Sequence, residues 1–396
     1  PRLEGPIGPR MKFQGKEVIF WSANDYLGLC NHPEVLEADA KAAAEYGMFY
    51  PMGARAMSGE TEQHLQLERE LADFVGKESA YLLNFGYQGM LSTIDALVSR
   101  HDVIVYDSNS HACIVDGVRL HMGKSFMFRH NDMDSFEKNI KRATKVAEEN
   151  GGGILVITEG VFGMTGQQGK LKEIAEFKKQ YSFRLLVDDA HGFGTLGKTG
   201  AGAGEEQGCQ DQIDVYFSTF AKSMAGFGAF IAGNKEIIRY LKFNLRSQIF
   251  AKSLTMPMVI GGLKRLELLR TRPEIKAKLW ENVEKLQNGL LERGFNLGNS
   301  NTCVTPVFMQ GTPVEATLLV KDLRENFGIF TSVVVYPVIP KGSILLRLIP
   351  TASHTDAEIN ETLAAFEAIH DKLVNGVYKQ QAEKLLEEQN LSFKPL

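Results

Sequence analysis

Two stretches of the chain end in polar residues whose types could act together in one reaction. The apolar run RLLV at 184–187 is followed by Asp188, Asp189 and His191, and the run VYF at 215–217 is followed by Ser218, Thr219 and Lys222. Continuous apolar runs are typical of buried strands in a parallel sheet, where ligands bind beyond the carboxyl ends of the strands. We therefore expect an acid, an imidazole, a hydroxyl and a lysine to meet at one edge of a sheet.

These residue types match the needs of pyridoxal phosphate (PLP). Its aldehyde needs a lysine for a Schiff base, and its ring nitrogen needs a carboxylate to stay protonated. A lone lysine is more often a solvated surface charge. Lys222, however, follows a buried run and precedes a run of Gly, Ala and Met, and partial burial there would favour the neutral amine that imine chemistry needs.

The motif DDAHGFG at 188–194, followed by STFAKS at 218–223, resembles the α-oxoamine synthases, which are PLP enzymes of the aspartate-aminotransferase fold type I. The resemblance runs from about Trp21 to about Asp371. It implies an α/β fold, with a mostly parallel seven-stranded sheet in a large domain and a smaller α+β domain at the C-terminal end. It also implies PLP as the cofactor and a homodimer with its active sites at the interface.

Four residues take the catalytic positions that this resemblance implies. Asp188 matches the carboxylate that faces the pyridine nitrogen, and His191 matches the imidazole that donates to the phenolic oxygen of the ring. His111 matches the histidine that stacks over the ring, and Lys222 matches the lysine that forms the imine. Taken alone, a single histidine is more often structural, and the neighbouring Asp189 has the position of a helix N-cap.

The phosphate of the cofactor would be held by backbone N–H groups, a helix N-terminus and hydroxyls. Gly86 and Tyr87 match the phosphate turn of the family, and Thr219 supplies a hydroxyl three residues before the lysine. Ser253 and Thr255 resemble the segment that reaches the phosphate of the partner subunit. Each of these two residues could instead cap the helix that follows.

Three further residues are candidates for substrate binding. Arg347 matches the arginine that binds the substrate carboxylate, a task suited to the planar fork of the guanidinium, and Asn24 is expected near the same carboxylate. Arg55 falls where sphingolipid-type members carry an arginine in a GSRxxNG-like loop. Arginines in loops are common without any such role, so a structural or surface position is the alternative for Arg55.

Several motifs depart from the usual pattern of the family. STFAKS replaces GTFSKS, so that Ala221 removes one phosphate hydroxyl, and the loop 53–59 reads GARAMSG. The run TEGVFGMTG at 158–166 replaces TDGVFSMxG, with Glu159 and Gly163 at the altered positions. These differences cluster where the amino acid and the acyl donor should meet. They leave PLP chemistry intact and leave the substrate open.

The runs at 244–257, 111–117 and 130–133 look most like bacterial serine palmitoyltransferases. The resemblance therefore implies decarboxylative condensation of a small polar amino acid with a long-chain thioester of CoA or acyl carrier protein, giving a 3-keto long-chain amine for sphingolipid or sulfonolipid synthesis. Serine is the default amino acid, and cysteate is the alternative that the altered loop allows. Glycine C-acetyltransferase, 8-amino-7-oxononanoate synthase and 5-aminolevulinate synthase are the other family activities that remain open.

Two other classes of function have to be considered. Some relatives are catalytically silent subunits, but these do not carry the lysine, whereas this chain has Lys222. The run at 192–197 is a literal GxGxxG, the dinucleotide fingerprint, which requires a helix to begin inside the motif. Because the chain continues as a Gly-rich loop, we interpret this match as accidental.

Composition excludes some partners and compartments. A net charge of −4 without a basic tract predicts no nucleic-acid partner, and four cysteines without CxxC spacing predict neither a metal site nor a disulfide framework. No apolar run reaches the about 18–20 residues of a membrane span, and the opening run PRLEGPIGPR does not resemble a signal peptide. We therefore expect a cytoplasmic protein, with peripheral membrane association for product release as an open alternative.

The alternation of strand and helix patterns predicts the domain organisation. We expect an N-terminal arm at 1–32, a large PLP-binding domain at 33–257, a small domain at 258–375 and a charged helical tail at 376–396. We interpret the tail as solvated, with packing on a partner as the alternative.

Overall fold

The computed structural model describes residues 2–336, 339 and 341–388. The strands of this part of the chain are β1 (Leu3–Glu4), β2 (Arg10–Phe13), β3 (Lys16–Phe20), β4 (Ser79–Leu83), β5 (Val103–Asp107), β6 (Lys124–Phe128), β7 (Ile154–Glu159), β8 (Val161–Phe162), β9 (Gln167–Gln168), β10 (Arg184–Asp188), β11 (Val215–Thr219), β12 (Ala229–Gly233), β13 (Thr305–Gln310), β14 (Ile329–Phe330), β15 (Ser332–Val334) and β16 (Ser343–Leu348).

The α-helices of the same residues are α1 (Pro33–Tyr46), α2 (Glu62–Phe74), α3 (Gly86–Leu97), α4 (Ala112–Leu120), α5 (Met133–Asn150), α6 (Leu171–Glu176), α7 (Ala203–Glu206), α8 (Lys235–Asn244), α9 (Arg246–Ile249), α10 (Met256–Thr271), α11 (Pro273–Glu292), α12 (Pro313–Asn326), α13 (Asp356–Val374) and α14 (Val377–Glu388). Short 3-10 turns lie at Leu29–Asn31, Phe177–Lys179 and Gln210–Gln212.

The chain forms two compact units. The larger contains residues 32–163 and 167–276, and the smaller contains residues 1–31, 164–166 and 277–396. The opening strands β1 to β3 thus belong to the smaller unit, and α10 belongs to the larger one. The predicted domain boundaries after residues 32, 257 and 375 stay predictions.

A seven-stranded sheet organises the larger unit, in the order β4-β12-β11-β10-β7-β5-β6. Its neighbouring strands are parallel except at β12, which is antiparallel to both β11 and β4. The predicted fold class, with a mostly parallel seven-stranded sheet, is confirmed. The central strands are apolar because both faces are covered: Ile157 and Leu186 pack in one core with Met90 and Ile114 from α3 and α4.

The carboxyl ends of four adjacent strands carry polar residues. The last residues of β5, β7, β10 and β11 are Asp107, Glu159, Asp188 and Thr219. In the sheet register Asp188 lies beside Glu159 on one neighbouring strand and beside Phe217 on the other. This edge is where ligands bind in open α/β sheets.

The Gly-rich run after β10 does not start a helix. Residues 190–200, all of which the structure describes, form turns and bends, and the next helix is the short α7, which begins at Ala203. The interpretation of GxGxxG as an accidental match therefore fits the local structure.

The smaller unit has its own core and two small sheets, β1-β2-β3-β14 and β13-β16-β15. Trp21 lies at its centre, fully buried, with its ring stacked on His354 at 4.0 Å and its Nε1–H donating to Thr362 at 3.0 Å. The side chain of Arg347 comes from β16 in this unit.

The predicted solvated tail is corrected in part by the position of α14. Tyr378 and Ala382 on this helix are buried, and the Tyr378 hydroxyl donates to Asp322 on α12 at 2.6 Å. One face of the tail therefore packs on its own chain. Residues 389–396 lie outside the described part. Within the described residues no helix is both long enough and apolar enough to cross a membrane.

Candidate active site

Lys222 lies in the turn that joins β11 to β12. The turn is closed by the Ala225 N–H, which donates to the Lys222 carbonyl at 2.8 Å. The Lys222 Nζ is 2.7 Å from Nε2 of His191, which follows β10. Because His191 is only 8% exposed, the lysine amine has a partly desolvated imidazole as its immediate neighbour. The two predicted residues therefore meet, as the ends of adjacent parallel strands should.

Asp188 is the second group that the sheet brings to this edge. Its carboxylate is 5% exposed and accepts the Ala190 N–H at 3.1 Å. Burial raises the pKa of Asp188, while the charges of Lys222 and His111 oppose that shift. A buried carboxylate of this kind is stabilised by a cation placed beside it, which is the arrangement that a protonated ring nitrogen would offer.

His111 stands at the start of α4, after the loop that follows β5. It is the N-cap residue of this helix, and its Nδ1 accepts the Cys113 N–H at 3.2 Å. Its own backbone N–H donates to Glu159 at the end of β7, at 2.5 Å. Partial burial lowers the pKa of His111, against the opposing charge of Asp188. His111, Asp188 and Lys222 thus form one cluster in the larger unit.

The start of α3 can receive an anion. Its N-cap residue, Phe85, supplies no side-chain cap, so the first backbone N–H groups of the helix have no side-chain acceptor from that position. The lack of a side chain on Gly86 leaves space beside the Thr219 hydroxyl. A Cβ atom on Gly86 would fill this space, since it would lie 3.0 Å from the Thr219 Oγ1. Tyr87, the next residue, directs its hydroxyl to Asp116. Open N–H groups, a hydroxyl and the absence of a side chain are what a phosphate at a helix N-terminus requires.

Ser253 and Thr255 lie before α10. The Ser253 hydroxyl is buried and has no hydrogen-bond partner among the described residues. Thr255 occupies the N-cap position of α10, but its side chain makes no capping hydrogen bond. The capping alternative therefore does not account for either hydroxyl, and their contact with a phosphate stays a prediction.

Taken together, the residues of the larger unit fit PLP. A buried carboxylate stands where a protonated ring nitrogen would offset its charge, and an amine stands beside an imidazole. A helix N-terminus beside a threonine hydroxyl offers a place for the phosphate.

Arg347 and Asn24 meet in the smaller unit. The Arg347 guanidinium donates to the Asn24 Oδ1 at 3.1 Å and also interacts with the hydroxyl of the buried Tyr26. Arg347 is 8% exposed. The two predicted residues are thus held together, with the arginine fork oriented by two side chains from the N-terminal segment.

Arg55 has a set of contacts that sequence reasoning did not foresee. Its side chain is 3% exposed, and its guanidinium is paired with Glu68 at 2.7 Å and with Glu60 at 3.1 Å. The same guanidinium lies over the ring of Tyr81, 5.0 Å from the centroid. These contacts satisfy the charge of Arg55 within the larger unit, so its predicted contact with substrate stays a prediction that the burial does not favour.

Two residues of the altered motif at 158–166, Glu159 and Gly163, lie next to residues of this site. Glu159 is buried, and burial together with the charge of Asp188 raises its pKa well above the usual value. Gly163 lies against His191, since a Cβ on Gly163 would be 2.1 Å from the His191 Nε2. Sequence reasoning noted both positions as departures but assigned them no role. Their contacts depend on which strands lie side by side in the sheet, and the motif itself does not show that pairing.

One further pair lies at the same sheet edge. The His130 Nδ1 is 3.0 Å from Asp107, and its Nε2 is 2.7 Å from Gln167. Burial by itself would lower the pKa of His130, but its hydrogen bond to Asp107 and the charge of that carboxylate raise it. The run at 130–133, used above only as a family signature, thus supplies a hydrogen-bonded His–Asp pair.

Comparisons with known proteins find a matching family and similar chains. The family described as aminotransferase class I and II matches residues 16–366. The cysteate-C-fatty acyltransferase of Capnocytophaga ochracea is 67% identical over 98% of this chain and 92% of its own length. The serine palmitoyltransferase of Sphingobacterium spiritivorum is 35% identical over 94% of this chain and 90% of its own length. A solved serine palmitoyltransferase from S. paucimobilis, carrying a PLP–myriocin aldimine, superposes with a TM-score of 0.87 at 29% identity, covering 93% of this chain and 91% of that one.

Proposed function

Because the chain belongs to the class I and II aminotransferase family, we propose that it catalyses the decarboxylative condensation of cysteate with a long-chain acyl thioester. The predicted family and the predicted PLP cofactor are confirmed, and the chain is a PLP-dependent acyltransferase. In the reaction a C–C bond forms between the α-carbon of the amino acid and the acyl carbonyl carbon. The thioester C–S bond and the bond to the carboxylate break, and a thiol and CO2 leave.

One observation carries the choice of cysteate. The cysteate-C-fatty acyltransferase relative is 67% identical to this chain, whereas the serine palmitoyltransferase relatives are 35% and 34% identical. All three cover at least nine-tenths of this chain, so the difference is not one of coverage. Condensation of serine is the second candidate, supported by those relatives and by the likeness to solved serine palmitoyltransferases.

We assign each of three residues of the larger unit one part in the reaction. PLP, when bound, supplies a reactive aldehyde and an electron-withdrawing ring. We assign Asp188 to hold the proton on the ring nitrogen, since its buried carboxylate requires a cationic partner. Lys222 supplies the amine and then moves the α-proton of the amino acid, with His191 beside it at 2.7 Å. His111 is exposed, and we assign its ring to the substrate carboxylate or the incoming carbonyl.

The carboxylate of the amino acid is assigned to Arg347. A guanidinium pairs with a carboxylate through two parallel hydrogen bonds when its plane is fixed. Here Asn24 and Tyr26 both contact the guanidinium, which supports a fixed plane.

We further propose a cytoplasmic homodimer in which Ser253 and Thr255 contribute to the partner's phosphate site. The unsatisfied Ser253 hydroxyl supports this proposal. Large apolar side chains that a second copy could cover are strongly exposed in the larger unit, namely Phe49, Met52, Met57 and Phe250.

The four cysteines remain thiols, which suits a reducing compartment. Peripheral membrane association, by which a lipid product could be released, is part of the same proposal.

The experiment that tests the activity uses the full chain reconstituted with PLP. It is incubated with a long-chain acyl-CoA, or the matching acyl carrier protein, and with cysteate, serine, glycine or alanine in separate reactions. Product mass and released CO2 are followed. We expect kcat/KM to be highest for cysteate. A higher value for serine would move the assignment to the second candidate, and no product from any pair, with no PLP retained, would indicate a silent subunit.

A further inference from the structure

The thiol of Cys113 lies directly against the imidazole of His111. The distance from the Cys113 Sγ to the His111 Nδ1 is 3.0 Å, and the Cys113 backbone N–H donates to the same nitrogen at 3.2 Å. Cys113 is 3% exposed, so the thiol side of this contact is buried. The position is fixed because Cys113 lies in the first turn of α4, whose N-cap residue is His111.

These contacts decide where the ring proton of His111 resides. A backbone N–H can only donate, so Nδ1 must be the acceptor and cannot itself carry a proton. The thiol lies nearest to the same Nδ1, at 3.0 Å, and we take its hydrogen to be directed there. The other acceptor within reach of the thiol, the Asp188 carboxylate, is at 3.9 Å. Burial raises the pKa of Cys113, which keeps this hydrogen in place.

We infer that Cys113 is a positioning residue that holds His111 as the neutral tautomer with its proton on Nε2. His111 can then donate a hydrogen bond to a carboxylate or carbonyl oxygen, but it cannot act as a base through Nδ1. Glu159 supports this placement from the other side by accepting the His111 backbone N–H. The value of the donor to catalysis rests on the function proposed above, whereas the tautomer itself does not.

Other titratable groups also face His111, and the test must hold them constant. The Asp188 carboxylate opposes the lowering of the His111 pKa, and the Lys222 charge adds to it. Glu159 meets the backbone of His111, and the ring of Tyr87 lies edge-on at 6.2 Å. Substitutions at Cys113 leave all four groups in the chain.

The direct test is nitrogen NMR of the full chain labelled with ¹⁵N-histidine, with and without PLP, and with His111 assigned from a His111→Gln spectrum. We expect the His111 proton on Nε2 in the unsubstituted protein. In Cys113→Ala the pKa of His111 should rise, because a donor to the neutral ring has been removed. Cys113→Ser should retain the original tautomer and pKa, because its hydroxyl can donate to Nδ1. A proton on Nδ1 in the unsubstituted protein, or a Cys113→Ala spectrum that matches it at every pH, would overturn the inference.

Kinetics give a second readout. The loss of one hydrogen bond should lower kcat of Cys113→Ala by roughly two- to tenfold, with recovery in Cys113→Ser. Cys209→Ala is the matched control, since Cys209 is also buried in the larger unit but has Asp211 and Glu173 among its charged neighbours. Equal losses in Cys113→Ala and Cys209→Ala would count against the inference. A protein that shows the NMR response but forms no product would refute only the proposed function.

Discussion

The pairing of Arg55 with Glu68 leads to a prediction that separates a structural role from a substrate-binding role. The two side chains are 3% and 9% exposed, with an Nη1–Oε1 distance of 2.7 Å and an Nη2–Oε2 distance of 3.2 Å. Glu68 also accepts the Leu82 N–H on β4 at 2.9 Å. Glu68→Gln preserves the shape of the side chain but removes its charge. The buried guanidinium of Arg55 then lacks its main negatively charged partner.

Removing one partner of a buried ion pair costs about 3–5 kcal/mol. We expect the lower end of this range, because Glu60 still contacts Arg55 from a position that is 32% exposed. The measurement is urea unfolding of the PLP-loaded protein, followed by circular dichroism, together with KM for the amino acid. KM should stay close to that of the unsubstituted protein, because burial and the pairs with Glu68 and Glu60 favour a structural role for Arg55 over contact with substrate.

Helix α2 offers a matched control for this prediction. Glu62 pairs with Arg69 at 2.6 Å, but the side chains are 72% and 62% exposed. Such a surface pair contributes at most about 1 kcal/mol, so Glu62→Gln should be nearly neutral. The reasoning would be refuted if Glu68→Gln were as stable as Glu62→Gln and if, at the same time, it raised KM for the amino acid.

Three further predictions concern the sheet edge. Asp188→Asn should lower kcat/KM on the order of a hundredfold or more, because it removes the carboxylate proposed to hold the proton on the ring nitrogen of PLP. The circular dichroism spectrum should stay unchanged. Gly163→Ala should displace the imidazole of His191, whose Nε2 is 2.1 Å from the added Cβ, and a visible spectrum of bound PLP identical to that of the unsubstituted protein would contradict this. The folded pKa of His130 is raised by Asp107, so the stability from this pair should be complete below about pH 6.5 and lost as pH rises through the raised pKa. Melting temperature against pH should show this loss, and His130→Gln should abolish that part of the profile.

Much of the active site could be predicted from local sequence. The apolar runs before Asp188 and Lys222 are long enough to define buried strands, and the ends of adjacent parallel strands necessarily lie at one sheet edge. The structure accordingly brings Lys222, His191, Asp188 and His111 into one cluster. The family, the cofactor and the fold class follow from the same motifs, and the comparisons confirm all three.

Contacts between residues far apart in the sequence could not be predicted in this way. Glu159 binds the backbone of His111, 48 residues before it, and Arg55 pairs with Glu68, 13 residues after it. Whether an arginine in a Gly-rich loop meets substrate or a buried glutamate depends on which helix packs over that loop. No local pattern records that packing.

The sequence by itself therefore predicted which groups meet at this sheet edge, because residue type and position after a strand suffice for that. Only the tertiary structure decided the state and orientation of those groups. The space for His191 beside Gly163 and the raised pKa of Asp188 each depend on atoms within about 4 Å that come from other elements of the fold. Hydrogen bonding and desolvation act over such short distances, so these properties arise only when the strands and helices have packed.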